Sequence, residues 1–162
     1  MSALQHEIEQ FLYLNAELCD RRDWDAYLAM FSEDSEFHVP QWDSEYEVTT
    51  DPKTGLSLMY YPTRSGLEDR VFRLRTGKSA ASVPLPRTQH QVHNVRIVEQ
   101  DNGELAVTAN WQTVFTRMGT TEQFYGEVNY RLVSINSQWK IARKHVVVYN
   151  DTINSVLDFY HL

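Results

Sequence analysis

Six histidines and one cysteine are the residues best suited to chemistry in this sequence, and their spacing limits what they can do. His90 and His93 are the one close histidine pair. On a helix, residues three apart share a face, and two imidazoles there could hold one metal ion. The residues around them alternate as in a strand, where an odd offset sends the two rings to opposite faces, so no chelate is expected. Cys19 stands beside Asp20, whose charge disfavours a thiolate, and it reads as a structural thiol. A fold that gathered His38, His90 and Asp34 in an apolar cavity could move protons with them. No second carboxylate has a spacing that commits it to such a site, so His38 and His90 are read as core or interface histidines with satisfied hydrogen bonds. Gly77-Lys78-Ser79 has the form of a phosphate-loop tail, but position 72 is Phe where the upstream glycine would stand. G-x-S-x-G and G-x-G-x-x-G motifs are also missing from the 162 residues.

Composition narrows the class further. Fifteen Lys and Arg against 22 Asp and Glu give a formal charge of −7, which repels a phosphate backbone and argues against nucleic acid. One cysteine allows no intrachain disulfide and suits a reducing compartment. The first residues, MSALQHEIEQ, have no apolar signal-peptide core, and Val146-Val148 is the longest aliphatic run. A soluble, cytoplasmic protein follows as the expectation. The length suits one domain, residues 1–162. Nine tyrosines and four tryptophans suit an apolar pocket or a protein interface.

The elements that must carry these residues fall into two halves. Leu4, Ile8, Phe11, Leu12 and Leu18 recur at helical spacing and predict a helix over about 3–19. Asp23 then caps a short helix whose stripe is Trp24, Tyr27, Leu28 and Phe31. "SEFHVPQW" reads as a short strand edged by Pro40. Residues 43–63 form a polar excursion with a strand segment at "LSLMYY". "RSGLEDRVFRLRTGK" is a third helix, with Leu67, Val71 and Leu74 inside and Gly77 as its stop. From there the period becomes two, over about 87–99, 104–117, 122–135 and 138–150. The links Asp101-Asn102-Gly103, Met118-Gly119-Thr120 and Asn136-Ser137 are tight turns. Helices followed by a meander of long strands predict an α+β fold with a curved, mostly antiparallel sheet wrapped on the helices.

Three stretches carry a resemblance: "CDRRDWDAYLAMFSEDSEFHVPQWD", "YYPTRSGLEDRVFRLRTGKSAASVPLPRTQHQVHNV" and "NDTINSVLDFYHL". Together they resemble the small (β) subunits of aromatic-ring-hydroxylating dioxygenases over essentially the whole chain. The short N-terminus and "GLEDRVFRLRTGK" are most similar to the benzoate, toluate and anthranilate branch. The resemblance implies a cone-like fold of the nuclear-transport-factor and scytalone-dehydratase type. It also implies a non-catalytic subunit of an oxidoreductase that depends on NADH and O₂ and serves aromatic catabolism. The partners would be a catalytic large (α) subunit and further copies of this chain, as a trimer within an α3β3 hexamer. The cofactors, a Rieske [2Fe–2S] cluster and a mononuclear iron, would sit in the large subunit. One cysteine cannot supply the two thiolates of such a cluster. The alternatives are a stand-alone isomerase or dehydratase, or a small-ligand binding protein, on the same cone.

Within that frame no catalytic, cofactor-binding or metal residue is assigned to this chain. Arg70, Arg73, Arg75, Pro86, Arg87 and His90 are read as subunit-interface residues, because arginine forks onto carboxylates and stacks on aromatics. Helix-face pairing with Glu68 or Asp69 is the plainer alternative for any one of these arginines. The ending "VLDFYHL" is costly to leave in water, so Phe159, Tyr160 and His161 dock either on their own subunit or on a partner.

Overall fold

The computed structural model describes residues 2–162. Helix α1 (Ala3–Asp20) starts at Ser2, whose Oγ accepts the Gln5 N–H at 3.1 Å. Helix α2 (Trp24–Ala29) is capped by Asp23 as expected. Strands β1 (Phe31–Pro40) and β2 (Ser57–Tyr61) follow, then helix α3 (Ser65–Thr76). That helix ends on Gly77 at φ 66°, a left-handed cap that glycine adopts without steric cost.

Four long strands complete the sheet: β3 (Arg87–Asp101), β4 (Glu104–Arg117), β5 (Thr120–Ile135) and β6 (Gln138–Val148). Each connection has two central residues at positive φ: Asn102 and Gly103, Met118 and Gly119, Asn136 and Ser137. Two such residues define the turn whose twist matches that of paired strands, so the meander is written into its turns. The strand order is β2-β1-β6-β5-β4-β3, and every pairing is antiparallel except β1 with β6. Register shifts at His93/Arg96, Ile97/Glu99 and Arg131/Leu132 mark bulges, which bend long strands.

The inner face of β4 is Leu105, Val107, Ala109, Trp111, Thr113 and Phe115, all buried, as the alternation predicts. It packs on Ile8 and Leu12 of α1, Trp24 and Tyr27 of α2, and Leu67 and Val71 of α3. One boundary differs from expectation. Phe31 belongs to β1 and not to the second helix. The Ile141 N–H donates to the Met30 carbonyl at 2.8 Å, and this parallel pairing to a distant strand ends the helix at Ala29. Among the described residues, no helix is long and apolar enough to cross a membrane.

Candidate functional site

The segment with the dense arginine and histidine pattern is held by its own chain. Asp20, at the end of α1, accepts from the His90 N–H at 3.0 Å, from His90 Nδ1 at 2.5 Å and from Thr88 Oγ1 at 2.8 Å. Arg22 Nη2 donates to the Pro86 carbonyl at 2.9 Å. Arg117 reaches the carbonyls of Pro84, at 2.9 Å, and Ala80, at 2.8 Å. Two arginines and one carboxylate thus stitch the 80–90 segment to α1 and β4.

His90 points into the cone and His93 out of it, as strand alternation requires. Burial alone would push the His90 imidazole down. The neighbouring Cys19 sulfur and the hydrogen-bonded Asp20 carboxylate outweigh it and lift the group to about 9. An imidazole already protonated at neutral pH is a poor general base. Asp34, at the surface, takes the Ser32 hydroxyl at 2.8 Å. His38 shares its strand with Phe37 but has the opposite orientation. Its Nε2 meets Ser57 Oγ at 2.9 Å, and its ring lies 5.1 Å from that of His145. His38, His90 and Asp34 are therefore not gathered into one site.

The cone interior is nearly full. The cavity beside Cys19, Tyr27, His90 and Lys144 measures about 20 Å³, enough for a water molecule. Pockets that take drug-sized ligands run from roughly 300 to 1,000 Å³. The C-terminal segment does much of the filling. Phe159 packs on Trp24 at 5.3 Å and on Tyr27 at 5.8 Å between ring centroids. His161 sits against Phe115 and Phe124 at 4.7 and 5.6 Å. Lys144 Nζ donates to the Leu162 main-chain oxygen at 3.3 Å. Asp158 anchors this tail: it caps the Phe159 N–H at 2.8 Å and forms a two-pronged pair with Arg70.

The residues read as interface candidates thus divide. Phe159, Tyr160, His161 and Pro86 are buried within their own chain and leave almost no surface for a partner. Arg70 is held by Asp158, and Arg75 pairs at the surface with Asp25 at 2.9 Å. Arg73 and Arg87 remain exposed. Among the described residues no group of three or more His, Cys, Asp or Glu side chains is placed to hold a metal ion.

A model of the family described as "Ring hydroxylating beta subunit" matches residues 14–155. This chain belongs to that family. It is 50% identical over 159 residues to the anthranilate 1,2-dioxygenase small subunit of Acinetobacter baylyi, covering 98% of each chain. The crystal structure of the benzoate 1,2-dioxygenase beta subunit from Burkholderia mallei superposes with a TM-score of 0.82 at 37% identity, covering 97% of this chain and 96% of that one. A protein with a cystatin-like fold from Nostoc punctiforme superposes at 0.62 with 15% identity, covering 95% and 97%, which shows the shared fold alone. As a ring-hydroxylating dioxygenase small subunit, the chain is part of an oxidoreductase.

The small subunit's histidines set its response to acid. Burial, then the charges of Arg143 and His38, push His145 down to about 4, and burial chiefly does the same to His161. Both lie below the unfolded value of 6.5, so between these pH values the unfolded chain binds more protons. The stability they contribute is present above pH 6.5 and is lost as pH falls toward 4. His90 works the other way, with its contribution complete below 6.5 and lost as pH rises through about 9. Melting curves should show a steep acid decline starting near pH 6.5, made shallower by His145→Gln. An unfolding midpoint constant from pH 7 to 4.5 would contradict this account.

Proposed function

We propose that this chain is the non-catalytic small subunit of a dioxygenase for benzoate-type aromatic acids, with anthranilate the foremost candidate. It acts as one domain, in the cytoplasm, joined to a large subunit that carries the Rieske cluster and the mononuclear iron. Three copies of each form the hexamer. The observation that carries the reading is the filled cone: a fold that elsewhere could enclose a ligand is occupied here by its own tail, and the inward-facing His90 is tied to Asp20. A stand-alone isomerase, dehydratase or ligand-binding module would need room that a cavity of about 20 Å³ does not give. The 50% identity to an anthranilate dioxygenase subunit, against 37% to a benzoate one, supports the substrate order. Arg73, Arg87 and the outer side of Arg75 serve the subunit contacts.

Co-expression tests this. With a large subunit and a reductase, anthranilate-dependent consumption of NADH and O₂ should appear only in the mixture, and the lone chain should be free of iron. Turnover or tightly bound iron in the lone chain, or failure to join any large subunit, would overturn the reading.

A further inference from the structure

Outside the core, residues 41–49 form a small hairpin. Trp42 bridges Val48, and the Thr49 N–H donates to the Gln41 carbonyl at 2.9 Å. The Asp43 N–H donates to the Glu47 carbonyl at 2.8 Å, and Thr49 Oγ1 donates to Asp43 at 2.9 Å. The Trp42 indole N–H fixes the hairpin to the sheet through the Val148 carbonyl at 2.8 Å. At its tip Tyr46 is 90% exposed. A tyrosine presented in water on a braced turn is an anchor without a socket in its own chain.

Beside it runs a groove of about 860 Å³ between the hairpin and strands β5 and β6. Tyr125 and Tyr149 stand edge to face at 5.7 Å, with Trp42 against Tyr149 at 6.2 Å. Four carboxylates line it, from Asp43, Glu45, Glu127 and Asp151, and its described lining has no Lys, Arg or His. None of the four takes part in an ion pair among the described residues.

We propose that this acidic, aromatic groove is the docking surface for a cationic segment of the large subunit, one presenting Arg or Lys beside apolar side chains. The proposal rests on the small-subunit reading above. Unpaired carboxylates next to tyrosine faces suit a guanidinium, which forks onto the former and stacks on the latter. A second copy fits less well. Each copy carries −7, and two of the arginines on α3, Arg70 and Arg75, are already neutralised by Asp158 and Asp25.

The test is binding of this chain to the large subunit at two salt concentrations, with Glu45→Lys/Asp151→Lys and Tyr46→Ala. All three positions are exposed, and none supports the hairpin's hydrogen bonds, so unfolding midpoints should hold. Each variant should weaken binding by about 10- to 100-fold, the size of effect expected at an interface anchor. The charge reversals should also remove most of the salt dependence. Glu99→Lys, exposed on β3 and outside the groove, should bind as the native chain does. Unchanged binding by the groove variants overturns the proposal. So does a loss of self-association with large-subunit binding intact, which would make a second copy the occupant. If the native chain itself does not bind, the small-subunit reading has failed, and the groove's role fails with it.

Discussion

Asp158→Ala is expected to free the C-terminal segment from the cone and to lower the unfolding midpoint by about 6–12 °C. The carboxylate is nearly buried, receives Arg70 on both oxygens and caps the turn that holds Phe159, Tyr160 and His161. Removing one partner of a buried ion pair costs about 3–5 kcal/mol. The Arg70 side chain is 24% exposed and can recover some hydration, so the lower end applies. About 3 kcal/mol corresponds to about 6–12 °C for a chain of this length. Arg70→Ala removes the same pair from the other side and strands a carboxylate that still holds its cap, so its loss should be similar. Calorimetry of the purified chain checks both variants. Limited proteolysis should show early cleavage between residues 150 and 158, before the core is cut. A midpoint within 2 °C of native for Asp158→Ala would mean that apolar packing alone holds the tail.

Gly126→Ala should be as damaging, for a different reason. A Cβ at Gly126 would lie 1.9 Å from the Val147 carbonyl oxygen, so the β5–β6 ladder would have to open to admit a single methyl group. That same carbonyl accepts the Trp111 indole N–H at 3.3 Å, and the Glu127 carbonyl accepts it at 3.0 Å, so the buried tryptophan would lose its partners as the strands part. Overpacked cores typically lose about 1–3 kcal/mol, and a clash with main chain belongs at the top of that range. Gly66→Ala is the useful contrast. Its Cβ would meet the Tyr61 ring at 2.4 Å and the Tyr61 Cβ at 2.6 Å, so main chain must shift here too, but β2 is an edge strand and can move without opening a ladder inside the sheet. Denaturation midpoints should therefore rank native, then Gly66→Ala, then Gly126→Ala. The reverse order for the two variants would refute the account.

The sequence by itself determined the meander. β4 was legible to the residue, 104–117, because alternation and two-residue turns are local properties, set by side chains a few positions apart. Helix α3 and its Gly77 stop were legible for the same reason, as was the odd offset that separates His90 from His93. The family resemblance rested on long contiguous motifs, which also need no folding to be read. The start of β1 was not legible. "FSED" has no strand period, and it is strand only because β6 pairs with it from the far end of the chain.

Tertiary structure alone decided which charges remain free. Arg70 and Arg75 look alike along the helix, yet their carboxylates come from 88 and 50 residues away. The acidic groove draws on residues 42–46, 125–127 and 149–151, and no local pattern joins them. The filled cone is likewise a sum of distant contacts, with Phe159 meeting Trp24 across almost the whole chain. Periodicity specifies which face of an element is apolar. Which partner covers that face, and which ion pair or cavity results, depends on long-range packing that residue spacing does not encode.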